Sequence, residues 1–185
     1  PYVGGVPVGV DEMTSPISFQ FSGGTSGAFA AFAADAAQRV KAKKVGMVYV
    51  DYGAVADGAH EYGAELMKKL GVDVVVEVTF PLTSTDVVAP IQKALDAKPD
   101  ALIVGAADTS CAPALDAIAD LELDGPVYMV GACADKKWLD QVGIENAVGT
   151  IFNIEGRLNF FFNDTATTEI YTEAVGEYGP DGLNP

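Results

Sequence analysis

Short runs of Val, Ile, Leu and Met recur along the chain, and each gap between them is long enough for a helix and too long for a tight hairpin. Residues 45–50 (Val-Gly-Met-Val-Tyr-Val), 72–80, 101–106, 127–131 and 147–154 read as strands of this kind. An unbroken apolar run marks a strand buried on both faces, as parallel sheets require. The intervening segments carry helix punctuation. Residues 56–70 are amphipathic and close on Lys68-Lys69-Leu70-Gly71, a basic last turn followed by glycine. Asp86 is expected to cap a helix reaching residue 97, where Lys98-Pro99 stops it. Residues 112–123 and 136–142 read as further helices. Strand and helix in strict alternation predict an α/β fold, a parallel sheet wrapped by helices with right-handed crossovers.

The start is less regular. Residues 1–10 form a β-rich apolar stretch broken by Gly and Pro. Residues 17–21 (Ile-Ser-Phe-Gln-Phe) alternate as a strand with one buried face would. Ser22-Gly23-Gly24-Thr25-Ser26 reads as a turn and helix start. Residues 28–42 then place Phe29, Phe32, Ala36 and Val40 on one stripe, a core face. With 185 residues the chain suits one domain, or one lobe and part of another. It opens Pro1-Tyr2-Val3, without initiator Met or signal-peptide pattern, and is expected to be a fragment.

Charge narrows the partners. The sequence has 11 Lys and Arg against 26 Asp and Glu, a formal net charge of −15, and no basic stripe that would neutralise phosphates. Nucleic acid and anionic membrane surfaces are therefore not expected as partners. No apolar run approaches the ~20 residues of a membrane helix. The glycines at 4–5 and 23–24 lack the spacing of a nucleotide-binding loop, so no cofactor is expected. No Ser-His-Asp, Cys-His or paired-carboxylate set assembles either, which argues against an enzyme. The single histidine, His60, reads as a helix-surface residue, and one histidine with two cysteines makes no metal site. Phe29 and Phe32 read as core, and Trp138 as packing, with ligand contact the alternative.

In an open parallel sheet, ligands sit beyond the carboxyl ends of the strands. Four such ends are legible, at Asp51-Tyr52-Gly53-Ala54, residues 80–83, Ala107-Asp108-Thr109-Ser110 and Ala132-Cys133-Ala134-Asp135. Tyr52, Asp108 and Thr109 are the expected polar contacts. Ordinary polar loops are the competing account. Cys111 and Cys133 lie just past the ends of strands expected to be neighbours, about 4.8 Å apart, which suits a disulfide. Two free thiols remain the alternative.

Several segments together resemble the type I periplasmic binding proteins of the branched-chain amino-acid-binding family. They are Lys43-Lys44-Val45-Gly46-Met47-Val48-Tyr49-Val50-Asp51, Lys69-Leu70-Gly71-Val72-Asp73, Phe80-Pro81-Leu82-Thr83-Ser84-Thr85-Asp86 and Lys98-Pro99-Asp100-Ala101-Leu102. The resemblance covers residues 1–156 and implies a two-lobe solute receptor of an ATP-binding-cassette (ABC) importer, closing on its ligand. By that mapping residues 1–16 end the first lobe, 17–24 are a hinge crossing, and 25–156 build the second lobe. Val8, Gly9 and Val10 would then offer first-lobe backbone groups, Phe21 a hinge contact, and Ala132 a place in the second-lobe wall. The implied partners are a small polar ligand, of amino-acid or amide class, and a membrane permease. The implied location is periplasmic or extracellular, with lipid anchoring allowed for. Where relatives carry a Tyr before Gly-x-Gly, this sequence has Val55; where they carry later Tyr and Glu residues, it has Ala107-Asp108 and Ala132-Cys133. A ligand-sensing domain of a receptor or transcription regulator, and a flavodoxin-like enzyme, are the alternatives.

Residues 157–172 break the alternation. Residues 160–172 resemble a peptide translated from sequencing-adapter DNA, so they are expected to be non-native, and the glycosylation sequon at Asn163 carries no weight. Residues 173–185 return to native-like sequence and are expected to begin a later helix.

Overall fold

The computed structural model describes residues 1–153 apart from 122 and 124. The expected non-native stretch and the later helix lie outside the described residues. Among the described residues, seven strands and seven α-helices follow in chain order. The first part holds β1 (Tyr2–Gly4), α1 (Val10–Thr14), β2 (Ser18–Gln20) and α2 (Gly24–Asp35), which runs on as π-helix through Ala36–Val40. Next come β3 (Lys44–Asp51), α3 (Gly53–Gly58), a π-helical Ala59–Ala64, α4 (Glu65–Lys69), β4 (Asp73–Pro81) and α5 (Val88–Asp96). The last part holds β5 (Ala101–Gly105), α6 (Cys111–Asp120), β6 (Val127–Met129), α7 (Lys136–Val142) and β7 (Thr150–Phe152).

Five strands form one parallel sheet in the order β4-β3-β5-β6-β7. The continuous apolar run of β3 takes a central place, with the six residues between its ends buried. Because side chains alternate, β3 feeds two cores. Val48 and Val50 pack with Ile91 of α5 and Leu115 of α6 on one face. Met47 and Tyr49 pack with Phe29 and Phe32 of α2 and Met67 of α4 on the other. The expected α/β class is thus the observed one. The Phe29–Phe32 pair stacks edge-on in the core at 6.4 Å, and Trp138 packs half-buried against the first core.

Several expectations are corrected. Only residues 2–4 of the first ten form strand, and Val10 opens a short helix whose Glu12 carboxylate collects the N–H groups of Val8 and Gly9 at 2.6 and 3.1 Å. The alternation of residues 17–21 predicts buried Ile17, Phe19 and Phe21, yet these are 63%, 57% and 81% exposed. Among the described residues β2, which holds Phe19 and is flanked by Ile17 and Phe21, pairs only with β1, and a two-stranded sheet leaves these side chains exposed. Asp86 does not cap α5; the helix follows Val87, whose fully buried side chain draws the turn into the core. Residue 147 lies in a 3₁₀ turn, Ile144–Ala147, and the last strand starts three residues later.

Residues 7–10 lie against the starts of α2 and α3. Gly24 has φ +56°, and a Cβ there would collide with the Pro7 carbonyl, which accepts the Thr25 N–H at 3.1 Å. Only glycine fits that junction. Gly9 likewise lies beside Ala54 of α3, bringing the α1 segment to the carboxyl end of β3.

Candidate functional site

Chain order and spatial order disagree at one place in the sheet. From β3 the chain moves outward to β4, with α3 and α4 on the Phe29 face. It then crosses back over β3 to β5, with α5 on the opposite face. The helices that leave β3 and β5 therefore diverge, and the gap between their loops is the switch point where open α/β sheets bind ligands.

Register fixes which residues flank that gap. Tyr49 pairs with Gly105, so Tyr52 and Asp108 each lie three residues beyond a matched pair on adjacent strands. Tyr52 is half-exposed, and its carbonyl accepts the Val55 and Ala56 N–H groups at 2.7 and 2.9 Å, starting α3. Asp108 and Thr109 are exposed; the next two residues, Ser110 and Cys111, are fully buried. Asp108 has φ +30°, a left-handed conformation uncommon for a non-glycine residue. Ser110 Oγ accepts the Ala107 N–H at 3.0 Å and donates to the Ala107 carbonyl at 2.8 Å.

The neighbouring loop is tied down in three ways. Cys133 is joined to Cys111 by a disulfide, with Cα atoms 5.1 Å apart. Gly131 N–H donates to Asn153 Oδ1 at 2.8 Å. A Cβ on Gly131 would strike the Asn153 carbonyl, so the β6 loop packs directly on the end of β7. Ala132 is exposed on this loop, and Asp135 caps α7 by accepting the Lys137 N–H at 2.8 Å.

Other sequence-predicted positions fall differently. Val8 is partly exposed, Gly9 and Val10 are half-buried, and the N–H groups of Val8 and Gly9 are bound to Glu12. Those hydrogen bonds hold the Glu12 carboxyl below its ordinary value. Phe21 stands open, its N–H donating to Gly4 at 3.3 Å.

Sequence reading missed the concavity that the described residues do form, which none of Tyr52, Asp108, Thr109 and Ala132 lines. A wide groove is lined by Val10, Tyr49, Ala56, Asp57, His60, Glu61 and Glu65. Beside it the Tyr49 hydroxyl donates to Glu77 Oε2 at 2.7 Å, and His60 Nδ1 lies 3.4 Å from the same oxygen. Burial, then Glu77, push the Tyr49 hydroxyl well above the usual tyrosine value. Glu77 lies 28 residues from Tyr49, and only strand pairing joins them. Among the described residues no cluster of His, Cys, Asp and Glu is arranged to hold a metal, and no helix is long and apolar enough to cross a membrane.

The sheet is doubly wound, with helices on both faces and a switch point between β3 and β5. The chain belongs to the periplasmic binding protein family, whose model matches residues 1–183. Solved structures agree in fold. An ABC transporter substrate-binding protein from Sphaerobacter thermophilus has a TM-score of 0.69 at 19% identity, over 96% of this chain and 48% of that one. A leucine binding protein from Thermotoga maritima has 0.68 at 19%, over 95% and 51%. A Rhodopseudomonas palustris solute binding protein in complex with 3,4-dihydroxybenzoic acid has 0.64 at 21%, over 91% and 46%. The chain spans about half the length of the solved proteins it matches. These neighbours are solute-binding proteins by their descriptions, and the sheet corresponds to one lobe of that fold. No curated protein matches the chain.

Proposed function

We propose that this chain is the ligand-capturing lobe of an ABC-importer substrate-binding protein. The observation that carries the reading is the switch-point gap flanked by Tyr52 and by Asp108-Thr109, on a wall that Ala132 continues. The ligand is a small polar metabolite of the amino-acid or amide class. The Asp108 carboxylate is the counter-charge for a ligand ammonium group, and charge-assisted hydrogen bonds of this kind are about twice as strong as neutral ones. Tyr52 and Thr109 supply hydroxyls, and Ala107 and Ala132 leave room where longer side chains would fill the cleft.

Closure about residues 17–24 brings the rest of a first lobe, of which residues 1–16 are the end, toward the second lobe. The ligand favours the closed form only by its differential affinity for the two states. The closed form is what a membrane permease recognises, and the compartment is periplasmic or extracellular. No step of bond making or breaking is assigned to the site. The family match and the solute-binding neighbours support this reading.

The test is a thermal-shift panel on the full-length receptor with amino acids, their amides and hydroxybenzoates. A ligand at one hundred times its Kd stabilises by about 2.7 kcal/mol. Stabilisation by amino acids, lost in Asp108→Asn, is the expected result. A panel in which no member raises Tm overturns the receptor reading, and stabilisation by hydroxybenzoates alone overturns the ligand class.

A further inference from the structure

Asp108 is exposed, and its backbone sits in the left-handed region, uncommon for a residue with a side chain although Asp enters it more readily than most. Two restraints adjoin it. On one side the buried Ser110 hydroxyl closes a ring onto Ala107, accepting its N–H and donating to its carbonyl, while Ser110 N–H reaches the same carbonyl at 2.9 Å. On the other side Cys111 ties the start of α6 to the β6 loop through Cys133. Asp108 and Thr109 are the two residues left projecting between these fixed points.

We infer that Ser110 is a positioning residue for ligand recognition: its hydroxyl keeps the 107–110 turn closed and so holds the Asp108 carboxylate in place for a cationic amine. The inference rests on the reading of Asp108 as the ligand's counter-charge. A carboxylate fixed before binding loses little conformational freedom when the ligand arrives. Without the Ser110 hydroxyl, the Ala107 N–H is left unpaired and the turn relaxes toward right-handed backbone. The carboxylate then adopts many positions, and preference for an ammonium group falls although no ligand contact has been deleted.

The experiment uses the full-length receptor with Ser110→Ala, Ser110→Thr and Asp108→Asn. Two quantities are read: amide hydrogen exchange at Ala107 without ligand, and the preference for L-leucine over its deaminated analogue 4-methylpentanoate. Ser110→Ala is expected to speed Ala107 exchange about tenfold and lower the preference about tenfold, with Ser110→Thr restoring both. A merely structural role weakens both probes alike and leaves their ratio unchanged. Asp108→Asn is expected to abolish the preference at wild-type Ala107 exchange. Unchanged exchange in Ser110→Ala overturns the inference whatever the ligand. Fast exchange with an intact preference, alongside an Asp108→Asn that loses it, overturns the positioning role alone. Asp108→Asn with an intact preference overturns the counter-charge reading, and the inference with it.

Discussion

Reducing the Cys111–Cys133 bond isolates the contribution of one cross-link, because no atom heavier than hydrogen is added or removed. The two cysteines are 22 residues apart in sequence. In the chain-entropy treatment, a closed loop of that length removes about 11 cal/mol/K from the unfolded ensemble, or about 3 kcal/mol at 25 °C. For a domain of this size each kcal/mol moves Tm by roughly 2–4 °C, so reduction lowers Tm by about 6–12 °C. Both sulfurs are fully buried, so a phosphine reductant must be added in denaturant before refolding. The assay is a pair of thermal melts, oxidised and reduced, with far-UV dichroism confirming the same secondary structure at 20 °C. The Cys111→Ala/Cys133→Ala double variant is expected to fall further, since it also leaves a void in the core. A reduced protein melting within about 2 °C of the oxidised one refutes the reasoning. The bond would then be a neighbourly contact between loops already held by Ser110, Gly131 and Asn153.

Other perturbations reach different parts of the fold. Tyr128 is fully buried and its hydroxyl donates to Asp35 Oδ2 at 2.6 Å, so Tyr128→Phe is expected to cost about 1.5 kcal/mol, read by urea melts. Burial raises the Asp35 carboxyl, but hydrogen bonds from Arg39 and Tyr128 and the Arg39 charge outweigh it, so the net value is lowered. A depressed folded-state value gives stability that is present above the ordinary carboxylate value, near ~4, and lost as pH falls through the folded one. Asp35→Asn should therefore match wild type more closely at pH 3 than at pH 6; a stability gap that widens toward acid contradicts the assignment. Gly131→Ala drives a methyl into the Asn153 carbonyl and should cost roughly 2 kcal/mol, with a thermal melt as the check. Phe29→Ala empties a fully buried site shared by α2 and β3 and should cost about 3–5 kcal/mol, measured by denaturant unfolding.

The sequence alone determined the strand and helix alternation, because a strand covered on both faces must be apolar throughout and a helix between sheet and solvent must not be. Residues 45–50 therefore announced a strand buried on both faces, and the Lys68-Lys69-Leu70-Gly71 ending announced a helix stop whose Gly71 has φ +79°. The loops that carry Tyr52 and Asp108 were legible for the same reason, as the polar ends of apolar runs. What lay beyond local periodicity was decided by tertiary structure. Strand order is set by crossovers rather than composition, so the switch point between β3 and β5 could not be read from either strand. Alternation in residues 17–21 marks two faces without saying which one a neighbour covers. The burial of Ser110 and the Tyr49–Glu77 hydrogen bond, 28 residues apart in sequence, depend on where the backbone travels, whereas Glu12 reaches the Val8 and Gly9 amides within a single helical turn. Hydrogen bonds between groups close in space follow the path of the chain, and that path is a property of the whole packed sheet.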